Sequence, residues 1–171
     1  DYAMQSGDLV QFDGGCIYEG YWCDFKRMAA LGEPRPDQRR FYELARAGLE
    51  AAIEVIGPGV PCSEPLRAAF AINDKAGFRS FSQWCLEAGW SAIGHNLGLD
   101  IHEHPGLGAT STALLRENMV LCVEPFITLG GVYPFWEASE KFGLEDVVLV
   151  TAEGAEVLTS EESITHDLWV V

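Results

Sequence analysis

Residues 7–31 constrain the fold most. Two β-rich runs there flank Tyr18-Glu-Gly-Tyr21, and Gly20 marks a tight turn, so the segment reads as a hairpin. A hairpin turn fixes register, and register decides which side chains share a face. Asp13 and Asp24 lie 11 residues apart, one on each arm. A turn centred near residues 18–20 makes them opposite or diagonal neighbours on one face. Like charges that meet across strands destabilise a sheet. Both carboxylates also sit among apolar and aromatic residues, where a bare charge is costly. A divalent cation between them removes both penalties.

The rest of the chain supplies a layer of helices and more strands. Pro36 suits a first helical turn, and Phe41, Leu44, Ala45, Gly48, Leu49, Ala52 and Ile53 recur at helical spacing, which predicts a helix over 36–56. Gly57-Pro-Gly-Val-Pro61 breaks the chain. A second helix is expected over 63–76, with Ser63 as its N-cap and Gly77 as its stop. Residues 78–93 fit no single pattern. Residues 94–108 are rich in Gly and His and read as loop and strand. Strand-like runs follow at 119–127, 131–137 and 144–151, and a turn at 152–154 leads to a last strand near 156–158. Hairpin, two helices and several strands, in that order, imply an α+β domain with an antiparallel sheet.

A second pair of carboxylates repeats the logic of the first. Glu124 lies in the apolar run Val120-Leu-Cys-Val-Glu-Pro125, and Glu145 opens Glu145-Asp-Val-Val-Leu-Val150. Two such strands side by side bring both carboxylates to one face. Pro125 marks a strand edge or end. His95 sits in Gly94-His-Asn-Leu-Gly-Leu-Asp-Ile-His102, where flanking glycines let backbone approach a ligand closely. One imidazole with four carboxylates makes an oxygen-rich donor set suited to Mn, Co, Fe or Zn. Two bridging carboxylates suggest a pair of ions, as in two-metal hydrolases.

Composition narrows the partners. A formal charge of −15 over 171 residues argues against nucleic acid, whose phosphates need Lys and Arg. No apolar run reaches the ~20 residues of a membrane span. The five cysteines (16, 23, 62, 85 and 122) form no Cys-x-x-Cys pair, so free thiols in a reducing compartment, the cytoplasm, are expected. Trp22, Trp84, Trp90 and Trp136 read as packing or pocket walls. Trp169 suggests that the tail docks on the body. Cys23, beside Asp24, should point to the other face.

These segments, taken together, resemble the metallopeptidase family of methionine aminopeptidase, aminopeptidase P, prolidase and creatinase. Five motifs stand in the family's order: Gly7 to Gly15 around Asp13, Gly20 to Arg27 around Asp24, Gly94-His95 through His102-Glu103, Met119 to Pro125 around Glu124, and Leu144-Glu145-Asp146. The resemblance implies the pita-bread fold, a curved antiparallel sheet covered by helices. It implies two divalent metal ions held by Asp13, Asp24, His95, Glu124 and Glu145. Glu124 would also move the proton of the attacking water, and His102 would contact the scissile amide without binding metal. The gap of 21 residues between Glu124 and Glu145 points to the dipeptidase and creatinase-like branch. The resemblance further implies a homodimer. It also suggests that the 171 residues form the C-terminal part of a catalytic domain, with upstream elements missing.

Departures bear on the substrate. Ser91 stands where relatives usually carry His, Gly143 where they often carry Arg, and Phe126 and Asn118 where they carry Gly. Three functions follow from this pattern. The first is a metallopeptidase acting on Xaa-Pro or another short N-terminal unit. The second is a related metal-dependent hydrolase or lyase on a small non-peptide substrate. The third is a non-catalytic binding module of the same fold.

Overall fold

The computed structural model describes residues 1–77, 92–129, 140–159 and 165–171. The hairpin forms as expected. Strand β1 (Leu9–Tyr18) pairs antiparallel with β2 (Tyr21–Ala30). Glu19 and Gly20 form its two-residue turn, both at positive φ, the conformation that matches the twist of the arms. Asp13 faces Lys26 and Asp24 faces Gly15, so the two aspartates are diagonal neighbours on one face. Close approach of the two strands requires glycine at position 15. A Cβ there would collide with the carbonyl oxygen of Cys23.

Helix α1 (Pro36–Glu54) begins at Pro36, and the Gln38 side chain accepts a hydrogen bond from the Arg35 N–H at 2.8 Å. The Gln38 amide donates to the Gly7 carbonyl at 2.9 Å and to Glu140 at 2.7 Å, which ties the helix start to two strands. Phe41, Ala45, Leu49 and Ala52 are buried as their spacing predicts, and Tyr42 joins them. Leu44 and Ile53 are only partly buried at the edge of the same cluster. Helix α2 (Glu64–Lys75) packs on α1. Ser63 corrects the expectation for its start. The Ser63 side chain makes no capping hydrogen bond, and the Glu64 N–H donates to the Pro61 carbonyl instead.

Strand β3 (Gly94–Asn96) pairs with β4 (Val120–Val123), and β4 pairs with β7 (Asp146–Thr151), both antiparallel. The run expected over 119–127 is not one strand. It breaks at Glu124-Pro125 and resumes as β5 (Phe126–Leu129), which pairs with β6 (Glu140–Gly143). The run expected over 144–151 begins two residues late, after Leu144-Glu145. Both glutamates therefore sit where the ladder changes partners. Strand β8 (Gly154–Val157) follows the expected turn and pairs with β7. Strand β9 (Trp169–Val170) runs parallel to β2, and the Trp169 ring lies 6.3 Å from that of Phe12, so the tail does dock. The strand expected at 131–137, together with Ser91, Trp84, Trp90, Trp136 and Cys85, lies outside the described residues.

Alternation divides the sheet. Leu121, Val123, Val148 and Val150 join the core beneath α1 and α2. The intervening residues, Cys122, Glu124, Glu145 and Val147, point the other way.

Candidate metal centre

Strand registers assemble the site as two rows. Asp13 faces Lys26 across the hairpin, and a bridge pairs Lys26 with Glu145. Glu124 and Glu145 follow the pair Val123 and Asp146 directly, so they are the next cross-strand neighbours. The first row is therefore Asp13, Lys26, Glu145 and Glu124. The second row contains Asp24, Cys122 and His95, with Cys122 and His95 directly paired. Asp24, His95, Cys122 and Glu145 can each bring a ligand atom within 4.8 Å of the others.

His95 is held in one useful state. Its Nδ1 lies 3.1 Å from the Asn96 carbonyl oxygen, which can only accept, so Nδ1 carries the proton. The Nε2 lone pair then faces the carboxylates, 3.7 Å from Glu124 Oε1. Gly94 makes this approach possible, because a Cβ there would collide with the Cys122 carbonyl oxygen. A bridge between Asn96 and Glu103 folds the segment back on itself. His102 returns beside His95, with ring centroids 4.3 Å apart, and is exposed at the rim.

The donor set is graded by depth. The Glu145 side chain is 1% exposed, whereas those of Glu124 and Asp13 are 31% and 44% exposed. Asp24 and His95 are buried with Glu145. Burial, with Glu124 beside it, pushes the Glu145 carboxyl up to about 8. Burial, with Asp13 and Glu124 nearby, also raises Asp24 above the usual carboxylate range. The Cys122 thiol is pushed up by burial and by Glu145, so it is a protonated neighbour of the carboxylates. Burial opposes the charge of Lys26, but Glu124, Glu145 and Asp13 outweigh it and hold the ammonium protonated.

Within the candidate site two buried atoms make no hydrogen bond, His95 Nε2 and Glu145 Oε1. Buried polar atoms without partners are costly. Both belong to the same crowded face and both carry a free lone pair. Divalent metal fits these residues, since it would satisfy both atoms and offset the burial and repulsion that raise Glu145 and Asp24.

All six residues expected from the sequence are thus brought together: Asp13, Asp24, His95, Glu124 and Glu145 as candidate ligands, with His102 at the edge. Lys26 and Cys122 were missed. Each lies two residues from a candidate ligand on a strand, Lys26 after Asp24 and Cys122 before Glu124, so alternation alone could have placed them.

Three of the departures also gain a physical reason. Asn118 adopts a left-handed φ of 68°, a conformation that Gly adopts freely and Asn tolerates. Phe126 and Gly143 face each other in register, and a Cβ on Gly143 would meet that of Phe126 at 3.3 Å. The larger residue stands opposite the glycine, beside the Lys26 stem.

Residues 1–152 match the family model of metallopeptidase family M24. The chain belongs to that family. It is 33% identical over 162 residues to an uncharacterized peptidase of Staphylococcus aureus, covering 95% of this chain and 42% of that protein. It is 33% identical over 165 residues to the Xaa-Pro dipeptidase of Pyrococcus furiosus, again covering 95% and 42%. The crystal structure of dipeptidase PepE from Mycobacterium ulcerans superposes with a TM-score of 0.81 at 31% identity, covering 98% of this chain and 41% of that one. The fold is the pita-bread fold of M24 metallopeptidases. The chain spans about 42% of the length of these curated relatives. Among the described residues, no helix is long and apolar enough to cross a membrane.

Proposed function

We propose that this M24 chain carries the metal-binding half of a peptidase that hydrolyses an amide bond of a short peptide, with Xaa-Pro units as the substrate class. The observation that carries the reading is the pair of buried, unpartnered acceptors, His95 Nε2 and Glu145 Oε1, on a face shared with three more carboxylates. Asp13, Asp24, His95, Glu124 and Glu145 would hold up to two divalent ions, drawn from Mn, Co, Fe or Zn. Ions held there would supply Lewis acidity, lowering the pKa of water and stabilising charge on the amide oxygen. The chain's own groups do the rest. Glu124, part-exposed at the outer edge of the donor set, takes up the proton of the attacking water and passes it on. His102, exposed beside His95, donates to the substrate amide and keeps it in place. The four free thiols among the described residues support a cytoplasmic protein, and the family resemblance supports a homodimer, which sedimentation would check.

The test is metal content and Xaa-Pro turnover of the intact protein. At least one ion per chain is expected, rising toward two under saturating Mn. Asp24→Ala and Glu124→Ala should lose metal and reduce turnover by about a thousandfold or more, the scale of losing a main source of transition-state stabilisation. No binding of Mn, Co, Fe or Zn would sink the hydrolase reading and leave a binding module. Phe126 opposite Gly143, beside the site, favours a second reading, a related enzyme on a small non-peptide substrate. Metal binding without Xaa-Pro turnover would shift the conclusion to it.

A further inference from the structure

Lys26 stands in the middle of the first row. Its Nζ lies 3.0 Å from Glu124 Oε2, 3.2 Å from Asp13 Oδ2 and 3.5 Å from Glu145 Oε2. The side chain is 12% exposed, so this is not a surface lysine resting on an acidic patch. Its backbone is fixed as well. The Lys26 N–H donates to the Glu145 carbonyl at 3.3 Å, and the Glu145 N–H donates to the Lys26 carbonyl at 3.2 Å. The ammonium therefore rises from the floor of the donor set.

Contacts divide the candidate ligands in two. Asp13, Glu124 and one oxygen of Glu145 are held by the ammonium. Asp24, His95 and the other oxygen of Glu145 are not, and these include both unpartnered buried atoms. Glu145 is shared: Oε2 faces Lys26, Oε1 has no partner, and one of its carboxylate oxygens lies within 4.8 Å of ligand atoms of Asp24 and His95. An ammonium and a divalent ion cannot share the space between Asp13 and Glu124. Both are cations, both need the same oxygens, and their repulsion grows with the product of their charges.

We propose that Lys26 is a built-in cation occupying the outer half of the centre. One divalent ion settles at Asp24, His95 and Glu145. A second ion enters beside Asp13 and Glu124 only by displacing the ammonium. The two loading steps are therefore unequal, and Lys26 sets the difference between them. The proposal rests on the metallopeptidase reading above and adds a residue that decides how many ions the centre holds.

Calorimetric titration of the metal-stripped intact protein with Mn tests it, alongside Lys26→Met and Lys26→Arg. The wild type should bind one ion tightly and a second at least ten times more weakly. Lys26→Met removes the charge at similar length and should strengthen the second step at least tenfold with little change in the first. Lys26→Arg keeps the charge and should keep the weak second step. Two equal, tight steps in the wild type, or a second step unmoved by Lys26→Met, would overturn the role of Lys26 and leave the metal reading intact. No Mn, Co or Zn bound by any of the three proteins would overturn both. Electron paramagnetic resonance of the wild type needs no variant. An isolated-ion spectrum is expected at one equivalent of Mn, with spin coupling only at excess. Spin coupling below one equivalent would overturn the proposal.

Discussion

Lys26 and Arg27 are consecutive, as are Glu145 and Asp146, yet the two pairs live in opposite electrostatic settings. Lys26 and Glu145 point into a face with four carboxylates, one ammonium and two buried atoms without partners. Arg27 and Asp146 point into the core beneath α1. There Arg27 Nη2 donates to Asp146 Oδ1 at 2.7 Å and Arg27 Nη1 donates to the Glu145 carbonyl at 2.7 Å. Thr159 Oγ1 donates to the same Asp146 oxygen at 2.8 Å, and His166 Nε2 donates to the other at 2.6 Å. Tyr42 then fixes His166 by donating to its carbonyl oxygen at 2.9 Å. Burial alone would raise the Asp146 carboxyl, but His166 and Arg27 outweigh it and hold it below the usual range. Glu145, one residue away, is pushed the other way. On one side of the sheet the buried charges meet opposite charges, with Arg27 Nε left without a hydrogen bond; on the other, like charges crowd together, and that side is the one built to receive something.

The largest effect should come from damaging the side where opposite charges pair. Asp146→Ala leaves Arg27, 1% exposed, without its carboxylate. Loss of about 3–5 kcal/mol is expected from chemical denaturation, the cost of stranding a buried charge. Glu145→Gln should do the reverse in metal-free protein. A carboxyl whose folded value is raised contributes stability that is complete below its unfolded value and fades as pH rises through the folded one. The metal-free protein should therefore lose stability between pH 4.5 and about 8. Glu145→Gln should flatten that slope and gain on the order of 1–3 kcal/mol at alkaline pH, while losing metal. A flat wild-type profile in this window would break the contrast between the faces. Asp146 has the opposite sign. Its contribution is intact above 3.8 and is lost as pH falls through its lower folded value, so acid unfolding should require strongly acidic solution. The smallest effect is Thr159→Val, which removes one donor to Asp146 and one acceptor for the Val147 N–H. About 1–2 kcal/mol is expected by thermal melting, with metal affinity unchanged.

What the sequence made legible was local. The hairpin, the start of α1 and the diagonal placement of Asp13 and Asp24 follow from a two-residue turn, a proline and a period of two. Helix periodicity found Phe41, Ala45, Leu49 and Ala52. The breaks at Glu124 and Glu145 were not legible, because each strand looks continuous until its partner changes. That exchange joins residues far apart in the chain. Lys26 meets Glu124 across 98 positions, and Arg27 meets Asp146 across 119. No local pattern distinguishes a lysine aimed into a candidate metal centre from one in solvent, although its parity with Asp24 was visible. Ser63 misled for a related reason. A good capping residue went uncapped because the preceding Pro61 carbonyl had already taken the role.

The two-residue tip at Glu19 and Gly20 limits how the chain can change length. One residue added between 14 and 18, or between 21 and 23, would rotate everything beyond it by half a pleat. Asp13 and Asp24 would then no longer be neighbours on the same side. Tyr18 and Tyr21 at the tip are 75% and 63% exposed, so a longer loop spliced there meets no neighbour among the described residues. Insertions and deletions in this hairpin should be confined to its tip, and a fluorescent or affinity tag placed there should leave the metal face unaltered.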